Sequence, residues 1–136
     1  MLNEWLTSHS DTSWDAIVDG ENGVFSKRFI RAFFPNVVDD ASAFKQLSKT
    51  LYREMSECTH GNVPNKIPLP KTIEFDEPTF LLWHEKAETL RYIANFALTA
   101  RYFLAIPTNA KVAIIPIATD RLGHLESIRT SLEAAI

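Results

Sequence analysis

A chain of 136 residues and 15.4 kDa holds one substantial hydrophobic core and not two. With 46% hydrophobic, 11% aromatic and 23% charged residues it is globular, which excludes a disordered or fibrous chain. Fourteen Lys and Arg against seventeen Asp and Glu leave a net charge of −3, which excludes a grossly basic nucleic-acid-coating protein but not a local basic face.

The single cysteine, Cys58, excludes an internal disulfide framework and a Cys-rich zinc centre. No basic-then-apolar leader and no apolar run of membrane-spanning length is present, so the expectation is a soluble, cytoplasmic protein with no membrane partner.

Residues 1–22 are loosely patterned: Leu2, Trp5 and Leu6 fit a short amphipathic turn, and Trp14, Ile17 and Val18 follow a run of capping residues at 10–13. Over 24–34, Phe25, Phe29, Ile30 and Phe33 recur at helical spacing with Lys27, Arg28 and Arg31 between them. That pattern predicts a core helix with a basic edge. A helix is next expected over Ala41–His60, capped by Asp39 or Asp40 and stopped by Gly61. Its apolar residues Phe44, Leu47, Leu51, Met55 and Cys58 are separated by 3, 4, 4 and 3, one continuous stripe on which Cys58 is expected to be buried.

Residues 61–76 contain Pro64, Pro68 and Pro70, which remove donors and force their predecessors toward extended backbone, so a long inter-helix loop is expected there. Asp76, Glu77 and Pro78 form a helix start: a capping carboxylate, then an acid and a proline in the first turn. No breaker follows before residue 106, so a central helix of about thirty residues, roughly 45 Å long, is expected. Phe80, Trp83, Ala87, Leu90, Ala94, Ala97, Leu98 and Phe103 give it a broad apolar surface. Pro107 and Pro116 bracket a connection whose KVAIIPI run resembles a strand without a partner. Thr119 or Asp120 is then expected to cap a last helix carrying Leu122, Leu125, Ile128 and Leu132. The sum is an all-α, single-domain helical bundle with one long central helix.

Chemistry enters on the other face of the Ala41–His60 helix. At 100° per residue Arg53 and His60 differ by 700°, within about 20° of two full turns, so both stand opposite the apolar stripe. Lys49 and Ser56 fall beside them, with Glu57 and Gln46 a little further round. Elsewhere, His84 and Glu88 lie one turn apart but have no third and fourth ligand for a metal. Arg91 and Arg101 suit structural salt bridges, and His124 suits a core or capping role. No phosphate-binding Gly-rich loop, nucleophile elbow or carboxylate dyad is present.

Residues 52–62 read YREMSECTHGN, an Arg, six residues, then His at a helix end. This resembles the R-x4–6-H signature of the HEPN superfamily, in versions written roughly YR-x-L-S-E-x-x-HG. The downstream ETLRYIANFALTARYFL is similar to the long helix that follows the motif in such domains. The resemblance covers roughly residues 41–106. It implies a helical bundle that forms a homodimer through the Ala41–His60 helix. It also implies a metal-independent endoribonuclease with no cofactor, of the kind found in toxin–antitoxin, abortive-infection and anti-phage defence systems. Arg53 and His60 would be catalytic, with Ser56, Glu57 and Glu54 shaping the site. Glu54 directly follows the arginine, where active versions often carry a polar residue and where a negative charge opposes an approaching phosphate.

Cutting RNA without a metal requires a base for the ribose 2′-hydroxyl, stabilised charge at phosphorus and a proton for the leaving oxygen. A histidine titrating near neutrality supplies a proton-transfer group, and a guanidinium supplies paired donors. Lys49, Arg28 and Arg31 are the candidates for contacts to the RNA backbone. A second reading stays open: a non-catalytic module of the same fold that holds an antitoxin or a larger defence-complex protein. The chain as part of a larger protein also stays open.

Overall fold

The computed structural model describes residues 17–18, 20–21, 23–60, 72 and 74–135, apart from the side chains at 59 and 60. Expectations for Leu2, Trp5, Leu6, Trp14 and nearly all of the 61–76 loop lie outside the described residues. Among the described residues there are five α-helices and no strand. We number them α1 (Lys27–Phe33), α2 (Ala41–His60), α3 (Glu77–Tyr102), α4 (Thr108–Leu122) and α5 (Glu126–Glu133), with a 3-10 turn over Pro35–Val37.

Helix α1 starts later than the periodicity alone predicts. Ser26 is its N-cap, with its hydroxyl accepting from the Phe29 amide at 3.1 Å. Phe25 therefore precedes the helix, yet its ring is buried. Pro35 at the first position of the 3-10 turn ends α1, because its ring cannot continue the preceding hydrogen-bond ladder. Helix α2 occupies its expected span. Helix α3 begins where Asp76 caps it, with the carboxylate accepting from the Thr79 amide at 3.0 Å. That bond holds the Asp76 carboxyl below its ordinary range.

The stretch after Pro107 corrects the sequence reading. Residues 111–117 lie inside α4, and Thr119 and Asp120 sit near its end rather than capping a new helix. Pro116 is tolerated because it and Val112 both lie on the exposed side, where water takes the carbonyl left without a donor. The last helix starts only at Glu126, after a turn at Gly123. A methyl group on Gly123 would stand 2.5 Å from the Thr119 carbonyl oxygen, so the chain turns closely there.

One core joins all five helices. Its largest fully buried side chains include Phe34, Phe96 and Phe103, with Ile30, Leu122, Ile128 and Leu132 around them. The Phe44 and Phe96 rings stack at 3.7 Å with 7° between their planes, which fastens α2 to α3. Phe34 stacks on Phe103 at 6.0 Å. Polar ties close the far side: Ser127 donates to Asp40 at 2.5 Å and Asn36 to Ser131 at 3.2 Å.

The core uses only the C-terminal half of α3, where Ile93, Phe96 and Ala100 are buried. Toward its N-terminus Phe80, Leu81, Leu82, Trp83 and Leu90 are exposed, and so is Leu98 further along. The apolar surface expected to bury itself is thus only partly used. No helix among the described residues is long and apolar enough to cross a membrane.

Candidate functional site

Helix α2 has an inner and an outer face. Inward, Phe44 and Leu51 are buried, and Leu47 and Met55 pack against them. Outward, Arg53, Glu57 and Lys49 are exposed and Ser56 is half-buried between them. Arg53 makes no ion pair among the described residues. Helix α2 runs as far as His60, whose side chain lies outside the described residues. A guanidinium held on a stiff helix and open to water is suited to taking a phosphate through two parallel donors.

Glu54 does not front that face. It turns toward α3 and accepts from the Lys86 ammonium at 2.6 Å. That bond raises the Lys86 pKa, with burial opposing it and the Glu54 charge adding to it. The negative charge after Arg53 is thereby offset by a lysine of the neighbouring helix rather than set against an incoming phosphate. Arg28 and Arg31 are exposed on α1, a separate helix that packs on both α2 and α3. Among the described residues no hydrogen bond or ion pair links them to Arg53.

Cys58 is exposed, against the expectation of a buried thiol. The α2 stripe outruns the core: beyond Leu51 its neighbours are Leu82, Trp83 and Lys86, which form a crevice and not a packed interior. His124 is likewise not a core residue. It is exposed, and its Nε2 lies 2.7 Å from the Tyr92 hydroxyl, joining α3 to the turn after α4. Burial pushes the Tyr92 phenol up, with the Asp40 charge adding to the shift.

Arg91 makes the expected ion pair, with Glu88 one turn before it, and Arg121 lies 3.6 Å from the same carboxylate. Arg101 instead stacks its guanidinium over the Phe33 ring at 3.8 Å. The Glu88 carboxylate is taken up by arginines and His84 lies against Phe80, with ring centroids 6.1 Å apart. Among the described residues no three metal-ligating side chains come together.

Sequence reasoning missed a groove between α2 and α3. It encloses about 440 Å³, lined by Phe25, Leu51, Tyr52, Met55, Trp83 and Leu90 among others, with Lys86 and Ser48 as its polar members. The available signal was the spacing of Trp83 and Leu90, seven residues apart and so on one side of α3. Tyr52 stands at the groove's lip, one residue before Arg53.

No family model matches the chain, and no curated protein and no solved structure is significantly similar to it.

Proposed function

We propose that the protein is a HEPN-like, metal-independent endoribonuclease of a cytoplasmic toxin or anti-phage defence system. The observation that carries this reading is the place of residues 52–60, YREMSECTH, in the last described turns of α2. Arg53 lies on the exposed face of that helix, and the motif histidine is the last described residue of it.

In the proposed reaction His60 takes the proton of a ribose 2′-hydroxyl, whose oxygen attacks the adjacent phosphorus. The 5′-oxygen leaves with a proton from a second imidazole, giving a 2′,3′-cyclic phosphate and a 5′-hydroxyl. Arg53 holds the charge that builds on the non-bridging oxygens. Two turns of helix separate the two residues by roughly 10 Å, so one copy does not complete the site. A homodimer formed through α2 supplies the second arginine and histidine in one cleft. Lys49, Arg28 and Arg31 contact flanking phosphates, while Ser56 and Glu57 shape the cleft.

The second reading, a non-catalytic module that binds a partner protein, is favoured by one observation: the exposed apolar surface on the N-terminal half of α3. Incubating the purified protein with a mixed RNA pool in EDTA separates the two. The nuclease reading expects cleavage by the parent and none by His60→Ala or Arg53→Ala. Equal cleavage by all three, or none by any, removes it and leaves the module.

A further inference from the structure

The C-terminal half of α3 and nearly all of α4 are almost without charge. Between Arg91 and Asp120 the chain carries only Arg101 and Lys111, and both are turned onto rings of the fold. The Arg101 guanidinium lies 3.8 Å over Phe33 and the Lys111 ammonium 5.2 Å over Phe103. An ordinary soluble surface is about a quarter charged or more, and charge is depleted at the centre of protein interfaces.

The outer face of this helix pair is apolar, open and grooved. Leu98, Tyr102 and Ile117 are exposed by 57%, 49% and 60%, and they wall a groove of about 360 Å³ between the two helices. Half-buried Asn95, Thr99, Ile106 and Ile114 line it. Among the described residues the Asn95 carboxamide and the Thr99 and Tyr102 hydroxyls take part in no hydrogen bond. At one end the face stops at Glu88, Arg91, Asp120 and Arg121, whose charges pair with one another.

These features choose among occupants. Nucleic acid and anionic membrane surfaces need cations, and this face presents none. A different protein finds no charge here to select it. A second copy needs none, because a twofold axis lays the patch on itself, where any charge would meet its like. Carboxamide and hydroxyl groups both donate and accept, so Asn95, Thr99 and Tyr102 can pair with their own copies. Leu98 and Tyr102, four residues apart, form a ridge that fits the groove of the other copy, as in packed helices generally. At about 200 Å² per large side chain, and with the half-buried neighbours, each copy brings roughly 500 Å², the least that a specific dimer needs.

We infer that the α3–α4 face is a self-association surface, which pairs two copies of this chain about a twofold axis through Leu98, Tyr102 and Ile117. An interface this small gives a dissociation constant of about 10–100 μM, so the copies are apart across this face in dilute solution. The face shares no residue with α2, whose pairing the proposed cleft requires, and it stands without the nuclease reading. Where α2 also pairs, the two interfaces together build an assembly larger than a dimer.

Analytical ultracentrifugation of the purified protein from about 1 to about 500 μM reads the association directly. The mass should double across that range, with a midpoint in the tens of micromolar. Ile117→Glu and the near-isosteric Asn95→Asp should each raise the dissociation constant at least tenfold, because each sets two carboxylates into one small apolar interface. Val112→Glu, exposed about 140° round α4 from Ile117, should leave it unchanged. Circular dichroism should show the variants folded, and Asn95→Asp, which changes almost no volume, decides the matter should Ile117→Glu not fold. A mass that stays constant over the whole range overturns the proposal. So does an association that Ile117→Glu and Asn95→Asp leave intact, since it then belongs to another face, the α2 pairing included. Neither result bears on RNA cleavage, which is measured separately.

Discussion

Replacing Phe96 by alanine tests the packing account at its centre. The side chain is fully buried, lies 3.7 Å from the Phe44 ring and stacks on Phe25 at 6.3 Å. It thus receives α2 and the segment leading into α1 on one helix, so neither neighbour is free to collapse into the space it leaves. Removing a fully buried phenylalanine costs about 3–5 kcal/mol when the site does not collapse. A domain of this size has about 5–15 kcal/mol in all, so the variant stays folded but marginal. With a urea dependence of about 2 kcal/mol per molar, the midpoint should fall by roughly 2 M. Circular dichroism at 222 nm follows this directly. Leu98→Ala, on the same helix and 57% exposed, should cost no more than about 0.5 kcal/mol. A double cycle with Phe44→Ala should give a coupling of about 0.5–1.5 kcal/mol. A loss below about 1 kcal/mol for Phe96→Ala, or one equal to that of Leu98→Ala, would refute the reasoning.

Two further predictions concern charge. The Asp76 carboxyl is held down first by its hydrogen bonds with Thr79, and a depressed carboxyl contributes stability above its unfolded pKa and loses it as pH falls through the folded value. In amide NMR spectra the Thr79 signal should titrate with a midpoint below about 3.9, while signals from Ile93 and Phe96 stay still. A Thr79 midpoint at or above that value contradicts the cap. For Lys86 the sign is opposite. Its raised pKa, caused first by the Glu54 hydrogen bond, means a contribution fully present below about pH 10.4 and lost as pH climbs through the folded value. Because the pair is partly exposed, Lys86→Met should cost under about 1 kcal/mol at neutral pH, and less as pH climbs through the folded value. A loss of about 3 kcal/mol would mean the pair is sealed from water.

Much of this fold is legible because local signals and packing agree. The α2 stripe of Phe44, Leu47, Leu51 and Met55 states a helix with one buried face, and Asp76 followed by Glu77 and Pro78 states where α3 starts. The failures share a physical cause: sequence pattern fixes which face is apolar, not how far along it a neighbour reaches. Cys58 continues the stripe but lies past the end of the core, and Trp83 and Leu90 continue the α3 surface beyond the level where other helices cover it. Pro116 signals a break in the sequence because proline costs a hydrogen bond, a cost that falls when the freed carbonyl faces water. The outward position of Arg53 followed from the 3.6-residue period alone. The capture of Glu54 by Lys86 did not, since it depends on a residue 32 positions away.

The proposed 2′-hydroxyl attack assisted by Arg53 and His60 is tested by removing that hydroxyl. An end-labelled RNA oligonucleotide would first be cut by the protein in EDTA to locate the scissile step, then resynthesised with a single 2′-deoxyribose there. The all-RNA substrate should give a 2′,3′-cyclic phosphate end, and the deoxy-substituted one should not be cut at that position. Cleavage of both at the same bond, or cleavage that stops when EDTA is added, would contradict it.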